Sequence, residues 1–300
     1  MPPRSPSSST PPASSSASPS PAAPSPAPSP VSAPGPVRPA AAEREALTVL
    51  LRAAGCVFAE DEAELILATA RTPQEAADMA RRRAAGLPLE HVVGWAGFHG
   101  LRVIVEPGVF VPRRRTEFLV DQALAAVPHA SVVVDLCCGS GAVGAALAAA
   151  LAPVELHAAD IDEAAVRCAR RNVAGYGGHA HTGDLFAALP DRLRGRVDLL
   201  AANVPYVPSE EVPLLPSEAR DHEPLTALDG GGDGLDVLRR VAAEAPRWLA
   251  PGGCLLVETS ERQAPAAVEA FTRSGLEVRL AYDEELYAHV VVGTRAGPVR

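Results

Sequence analysis

The alternation of short apolar runs with helical patterns across residues 131–294 constrains this chain more than any other feature. The apolar runs predict seven strands: Ser131–Leu136, Val154–Asp160, His179–Gly183, Val197–Ala202, Gly253–Thr259, Leu276–Tyr282 and Ala288–Thr294. The intervening patterns predict helices near Ala142–Leu151, Asp162–Ala174, Leu235–Leu249 and Arg262–Ser274. Four strand-then-helix units require a parallel sheet that is covered on both faces. The sequence therefore predicts a doubly wound α/β sheet whose last two strands close as an antiparallel hairpin.

The chain before this sheet divides into segments of different composition. Residues 1–42 are rich in Pro, Ser and Ala, and we expect a disordered tail because so few large apolar side chains cannot offset chain entropy. Residues 43–90 contain short helical patterns, with a capping box at Thr72–Glu75, and predict a small helical domain. Residues 91–112 alternate with period two around glycines and predict a β-hairpin linker. Residues 113–300 form the main domain, and its first helix is expected to be capped by Thr116.

Charge and cysteine content limit the classes of function. The formal net charge is −9 and its acidic excess lies in residues 116–300, so the main domain lacks the basic footprint of a protein that follows nucleic-acid phosphates. Arg81–Arg83 and Arg113–Arg115 are local exceptions. No apolar stretch is long enough to span a bilayer. The five cysteines fit neither a disulfide framework nor a zinc site, and His179 and His181 have no third ligand, so we expect no metal and a cytoplasmic location.

Polar residues and glycines follow three consecutive predicted strands. The first strand leads into the run Asp135-Leu136-Cys137-Cys138-Gly139-Ser140-Gly141, whose glycines permit a tight turn and close approach of a ligand to the backbone. Asp160 ends the second strand and can hydrogen-bond a ribose diol, and Asp184 after the third strand is a candidate contact for an adenine amino group. Each has a structural alternative: a plain tight turn, or capping of the next helix by Asp160 together with Asp162. Because these residues share the edge at which open α/β sheets bind ligands, together they favour a nucleoside site.

The fourth predicted strand ends in Asn203-Val204-Pro205-Tyr206. A side-chain amide offers one acceptor and two donors, so it can bind the NH2 of another amide or of an amino group. Glu258, Thr259 and Ser260 at the end of the fifth strand could line the same cleft, although capping of the next helix is the favoured interpretation.

On this sheet, the ordered set of D-L-x-x-G-S-G, Asp160, Asp184 and N-V-P-Y resembles the class I S-adenosylmethionine (SAM)-dependent methyltransferases. More narrowly, the chain resembles the release factor glutamine methyltransferases, which modify the side-chain amide of a Gly-Gly-Gln motif. Three segments outside the cofactor site carry this narrower resemblance: residues 87–100, residues 111–117, which are similar to the family's I-P-R-P-E-T-E, and residues 223–235. The resemblance covers residues 43–300.

The resemblance implies a seven-stranded class I methyltransferase sheet that binds SAM. The implied cofactor contacts are Asp135, Cys137, Cys138, Gly139, Ser140, Gly141, Asp160, Asp184, Leu185 and Asn203. The implied catalytic residues are Asn203, Val204, Pro205 and Tyr206. The Asn203 side-chain oxygen and the Val204 carbonyl would accept hydrogen bonds from the acceptor NH2, and Tyr206 would pack on the acceptor plane. The implied function is methyl transfer from SAM to a glutamine amide of a release factor, which residues 43–90 would recognise.

Several positions depart from the family's pattern. Cys137 replaces a glycine, Val204 replaces the first proline of N-P-P-Y, and Arg114 replaces the proline of I-P-R-P-E-T-E. These departures leave two alternatives open. One is an N-methyltransferase that acts on an exocyclic amino group of DNA or RNA, which poses the same chemical problem. The other is a SAM-binding module without turnover. A release factor is the expected partner, with no stable binding to nucleic acid or membrane.

Overall fold

The computed structural model describes residues 41–297, so the predicted tail lies almost wholly outside the described residues. The helices are α1 (Ala41–Ala53), α2 (Ala59–Thr69), α3 (Pro73–Ala84), α4 (Leu89–Val93), α5 (Glu117–Ala126), α6 (Ala142–Leu151), α7 (Glu163–Val173), α8 (Ser217–His222), α9 (Leu225–Leu228), α10 (Asp236–Trp248) and α11 (Ala264–Arg273). The strands are β1 (Trp95–Phe98), β2 (Leu101–Ile104), β3 (Val132–Leu136), β4 (Glu155–Asp160), β5 (His179–Thr182), β6 (Val197–Ala202), β7 (Leu249–Thr259), β8 (Leu276–Asp283) and β9 (Ala288–Arg295).

Strands β3 to β9 form one seven-stranded sheet in the order β5-β4-β3-β6-β7-β9-β8. The first five of these strands pair in parallel, whereas β9 runs antiparallel between β7 and β8. The chain moves outward from β3 to β5 and then returns to β6, so the strand order reverses between β3 and β6. A crevice opens at the carboxyl ends of the strands at such a switch point. The predicted doubly wound sheet with a closing hairpin is confirmed.

The strands read as continuous apolar runs because both faces of the sheet are covered. On β6, Leu199 and Ala201 belong to a buried cluster that includes α5 and α6, while Leu200 and Ala202 belong to one that includes α10 and α11. The bounds of β6 are those predicted from the sequence. Strand β7 begins at Leu249 rather than at the predicted Gly253, because its ladder with β6 continues past an irregularity near Val197.

The helices of residues 41–93 pack around a separate buried cluster that includes Leu51 and Ile66. The predicted capping box at the start of α3 is present in part: Thr72 Oγ1 accepts from the Glu75 N–H at 3.1 Å, but the Glu75 carboxylate accepts the N–H of Arg71, at 2.8 Å, and not that of Thr72. Strands β1 and β2 pair as an antiparallel hairpin inside the predicted range 91–112, although residues 91–93 of that range are the end of α4. None of the helices between residues 41 and 297 has the length and apolar character that crossing a bilayer requires.

Candidate active site

A cavity of about 740 Å³ lies at the carboxyl ends of β3, β4 and β6, at the switch point of the sheet. It brings together nearly all of the residues singled out in the sequence: Asp135, Cys137, Cys138, Gly139, Ser140, Asp160, Asp184, Leu185, Asn203, Val204, Pro205 and Tyr206. Gly141 does not line the cavity. A Cβ at Gly141 would lie 3.0 Å from the Cα of Ala169, so this glycine lets the start of α6 approach α7.

The turn after β3 is tied to the end of β4. The Gly139 N–H donates to Asp160 Oδ2 at 2.9 Å, and Asp160 Oδ1 accepts the Asp162 N–H at 2.9 Å. Asp162, rather than Asp160, caps α7 by accepting the Ala164 N–H at 2.7 Å. Burial raises the pKa of Asp160 above its usual range, although three backbone donors oppose that shift. Asp160 therefore fixes two loops at once and keeps its carboxylate at the cavity wall.

Asp135 is the most deeply buried acid of the cavity. Its Oδ2 accepts the Gly144 N–H at 2.8 Å, whereas its Oδ1 has no hydrogen-bond partner among residues 41–297. Burial raises the pKa of this carboxyl group to about 8. Leaving a buried polar atom unpaired costs about 1–3 kcal/mol. A ligand that donates a hydrogen bond to Oδ1 would therefore be stabilised here.

Two residues of the cavity wall have backbone conformations that L-residues rarely adopt. Cys137 has φ +53° and Leu185 has φ +49°. The left-handed region costs a non-glycine residue roughly 1–2 kcal/mol. Next to Leu185, Asp184 accepts a hydrogen bond from Arg240 Nη2 at 2.6 Å, which ties this wall to α10. Strain of this kind is concentrated where a backbone has to face a ligand.

The other half of the cavity contains the segment that follows β6. Asn203 Oδ1 is buried and has no partner within the described part of the chain. Val204 as a whole is 1% exposed and belongs to the core cluster under the sheet. The carbonyl of Tyr206 accepts a hydrogen bond from Gln263 Nε2 at 2.8 Å, and the same nitrogen donates to the Asp233 carbonyl at 2.9 Å. No sequence pattern had indicated Gln263.

The glycine-rich loop of residues 229–234 braces this segment from behind. The Val207 N–H donates to the Leu228 carbonyl at 3.0 Å, and the Gly230 N–H donates to the Val207 carbonyl at 2.8 Å. A Cβ at Gly230 would lie 2.6 Å from the Pro205 carbonyl oxygen, and one at Gly234 would lie 3.0 Å from the Tyr206 carbonyl carbon. Only glycine allows this approach. The loop had entered the sequence argument solely as part of a family resemblance.

Two arginines at the entrance to α5 are paired with buried carboxylates. Arg113 Nη2 donates to both oxygens of Glu223, at 2.6 and 2.7 Å, and Arg115 Nε donates to Glu258 Oε1 at 2.8 Å. The expectation that Glu258 caps the next helix is therefore wrong. Thr259 and Ser260 do not cap that helix either: α11 begins without a side-chain capping hydrogen bond, and Ser260 Oγ accepts the N–H of Gln263, the residue before the helix, at 3.3 Å.

The expected capping of α5 by Thr116 is also wrong. Thr116 already has helical dihedral angles (φ −70°, ψ −13°) in a 3₁₀ turn over Arg114–Thr116, and its side chain makes no capping hydrogen bond. The hydroxyl is buried at the cavity wall and lacks a hydrogen-bond partner in the region that the structure describes. It is thus a further polar group that a ligand could engage.

The two histidines of β5 lie away from this cavity. His179 and His181 stack on His157 of β4, with ring centroids 5.3 and 5.2 Å apart. Within residues 41–297 no cluster of three His, Cys, Asp or Glu side chains has the arrangement needed to hold a metal ion.

The known proteins that this chain resembles are methyltransferases. Residues 100–214 match the family described as the methyltransferase small domain. A release factor glutamine methyltransferase from Streptomyces coelicolor is 43% identical over 199 residues, which cover 65% of this chain and 70% of that protein. A 4-amino-L-phenylalanine/4-methylamino-L-phenylalanine methyltransferase from Streptomyces pristinaespiralis is 36% identical over 235 residues, which cover 76% of this chain and 80% of that protein. The crystal structure of a methyltransferase from Pyrococcus furiosus matches with a TM-score of 0.50 at 17% identity, covering 66% of this chain and 90% of that one. The fold is that of the class I SAM-dependent methyltransferases.

Proposed function

The chain belongs to the family of release factor glutamine methyltransferases, and from this premise we propose that it methylates a glutamine side-chain amide of a peptide chain release factor. The observation that carries the proposal is Asn203 Oδ1, a buried acceptor without a partner in the described chain, in one cavity with three carboxylates of the nucleoside-binding type. The cavity thus offers a place for a cofactor beside a group that can hold an NH2.

The cofactor half of the cavity fits SAM by the chemistry of its donors and acceptors. Asp160 would accept from the ribose hydroxyls, and Asp184 would accept from the adenine amino group. The free Oδ1 of Asp135 would accept from the cationic amino group, which favours the charged form of this carboxyl. The turn at Gly139 brings the backbone close to the ligand. When bound, SAM supplies a methyl group on a positively charged sulfur.

The acceptor half provides orientation rather than an acid or a base. An amide nitrogen is a poor nucleophile because its lone pair is delocalised into the carbonyl. Asn203 Oδ1 and the Val204 carbonyl would accept one hydrogen bond each from the NH2 group, and Tyr206 would cover the amide plane. This arrangement favours pyramidal nitrogen with its lone pair directed at the methyl group. The nitrogen would lose one proton to bulk water as it gains the methyl group. The rate gain would come from positioning and from preorganised dipoles.

The charge pairs of the chain argue against a nucleic-acid acceptor. Five of the six arginines in the two basic runs have polar partners: Arg81 with Asp78, Arg82 with the His91 carbonyl, Arg83 with Glu62 and Glu218, Arg113 with Glu223, and Arg115 with Glu258. Guanidinium groups that are already paired give up those partners when they bind phosphate. The two basic runs, Arg81–Arg83 and Arg113–Arg115, therefore offer few free cations for a nucleic-acid backbone.

The test uses labelled SAM and three acceptors: a release factor with its Gly-Gly-Gln motif, the same factor with that glutamine replaced, and a mixture of tRNA and DNA. Mass spectrometry should locate one methyl group on the glutamine of the first acceptor. Asn203→Ala should abolish this transfer and leave the affinity for S-adenosylhomocysteine (SAH) nearly intact, since the other implied cofactor contacts remain and Asn203 acts chiefly on the acceptor. Label on nucleic acid alone, or unchanged turnover in Asn203→Ala, would overturn the proposal. Free 4-aminophenylalanine as a fourth acceptor would separate a protein substrate from a small aromatic amine.

A further inference from the structure

Arg115 connects two parts of the acceptor half that are far apart in sequence. Its Nε donates to Glu258 Oε1, and its Nη2 donates to the hydroxyl oxygen of Tyr206. The guanidinium carbon lies 5.6 Å from the centroid of the Tyr206 ring. One side chain thus joins the end of β7 to the aromatic residue of the N-V-P-Y segment.

Glu258 is a rigid anchor for this connection. Its side chain is 3% exposed, and Oε2 has no partner within the described residues, so Arg115 supplies the side-chain hydrogen bond that this carboxylate receives there. A buried carboxylate that lacks its cation is strongly unfavourable. The pairing of Ala202 with Val257 places Glu258 level with Asn203 at the edge of the sheet. The guanidinium group is therefore held at the level of the acceptor site.

Tyr206 lies at the boundary between two cavities. It lines the main cavity, and it also lines a second groove of about 300 Å³, whose other lining residues fall within the segments 207–215 and 260–263. Gln263 fixes the backbone carbonyl of Tyr206. Within the described chain, Arg115 is the polar group that holds the hydroxyl. The orientation of the ring between the two spaces therefore depends on Arg115.

We propose that Glu258 and Arg115 form a positioning pair that holds the ring of Tyr206 over the acceptor site. This inference rests on the proposed function for the identity of the acceptor. Neither residue of the pair reacts: Glu258 orients Arg115, and Arg115 orients Tyr206. The planar fork of arginine serves two acceptors in different directions, which the single ammonium group of lysine does not reproduce. Arg115→Lys should therefore resemble the loss of the side chain rather than the wild type.

The first experiment compares Arg115→Met with Arg114→Met. Both variants remove one cation from adjacent exposed positions, and Arg114 forms no side-chain hydrogen bond or ion pair with any residue that the structure describes. For the acceptor that the wild type methylates, kcat/KM should fall about 10- to 100-fold in Arg115→Met and stay within about twofold in Arg114→Met, because a displacement of about 1 Å at a reacting group costs up to 100-fold. The Kd for SAH should stay within about twofold in both variants.

Glu258→Gln keeps the size of the Glu258 side chain and removes its charge. It gives a second test of the pair in case Arg115→Met fails to fold. It should lower kcat/KM for the acceptor in the same direction as Arg115→Met. The double variant should be no worse than Arg115→Met, since both changes interrupt one chain of contacts. A purely structural role would instead weaken SAH binding and acceptor turnover together. That outcome, or an Arg115→Met enzyme as active as Arg114→Met, would overturn the proposal.

A second measurement does not depend on turnover. The chain has four tyrosines, so incorporation of fluorotyrosine gives four ¹⁹F resonances, and Tyr206→Phe identifies the one from Tyr206. In Arg115→Met and Glu258→Gln this resonance should shift or change its width, while Arg114→Met leaves it unchanged. An unaffected Tyr206 resonance in Arg115→Met would refute the positioning pair. A wild type that methylates no release factor would refute the proposed function and leave this measurement to decide the pair on its own.

Discussion

Replacement of Gly234 by alanine tests whether the glycine-rich loop sets the position of the acceptor site. A Cβ at residue 234 would lie 3.0 Å from the Tyr206 carbonyl carbon and closer still to the carbonyl oxygen and to Gln263 Nε2. Relative to ordinary contact distances this is an overlap of about 1 Å. The Tyr206 carbonyl is the atom that Gln263 holds, so relief of the overlap moves the backbone that follows Asn203 and Val204.

The expected loss in the free energy of unfolding of Gly234→Ala is the sum of three contributions. Gly234 has φ +79°, and an alanine in the left-handed region costs about 1–2 kcal/mol. Loss of the hydrogen bonds from Gln263 to Tyr206 and Asp233 costs about 1 kcal/mol each. The free energy of unfolding should therefore fall by about 3–4 kcal/mol, and a displacement of about 1 Å at the acceptor site should lower kcat up to 100-fold.

Gly232→Ala is the matched control in the same loop. A Cβ at Gly232 would meet nothing within 4 Å, and its φ lies outside the left-handed region. Unfolding in urea and transfer of labelled methyl groups should both be near wild type in this control. SAH binding by calorimetry should be retained in both variants, because the loop braces the acceptor half. Equal turnover in Gly234→Ala and Gly232→Ala would refute the idea that the loop positions the site.

Two further predictions concern the cofactor half. Burial raises the pKa of Asp135 from 3.8 to about 8, so between these values the folded chain keeps a proton that the unfolded chain has lost, and stability falls as pH rises. In Asp135→Asn the free energy of unfolding should no longer fall in this way between about pH 5 and about pH 8, and SAH should bind more weakly. If the free energy of unfolding of the variant changed with pH as in the wild type, the raised pKa of Asp135 would be contradicted. Because Cys137 has φ +53°, Cys137→Gly should be about 1 kcal/mol more stable than Cys137→Ala in urea, and equal stability of the two variants would show that the turn carries no such strain.

The fold could be predicted in detail because its signals are local. The apolar runs that became β3 to β9 are covered on both faces, and the residues at their ends fall at one edge by topology alone. For this reason Asp135, Asp160, Asp184 and Asn203 could be grouped correctly before any distance was known. Gly141 was grouped with them because it shares their motif, but its missing side chain serves helix packing.

The supports of the site could not be predicted, because they join residues that are distant in sequence. Gln263 and Tyr206 are 57 residues apart, and Arg115 and Glu258 are 143 residues apart. No periodicity or spacing links such pairs. Arg115 also stands where the I-P-R-P-E-T-E segment has its first Glu, so similarity to the family gave no indication of a pairing with Glu258. Thr116 was misjudged because a 3₁₀ turn precedes α5 and removes the extended conformation that a capping residue needs.

The contacts that the glycine-rich loop and Gln263 make with residues 205–207 also explain how the chain accommodates valine at position 204. A proline there would restrict the backbone through its ring. Here the Val204 side chain packs in the core cluster, and the backbone after it is held by contacts of the next three residues. The backbone of Gly230 lies against the Pro205 carbonyl, and Gln263 donates a hydrogen bond to the Tyr206 carbonyl. The Val207 N–H donates to the Leu228 carbonyl. Since these contacts lie downstream of residue 204, we expect the orientation of the Asn203 oxygen and the Val204 carbonyl not to depend on a prolyl ring. Under the proposed function, the departure from N-P-P-Y then changes which atoms restrict the segment and keeps both proposed hydrogen-bond acceptors in place.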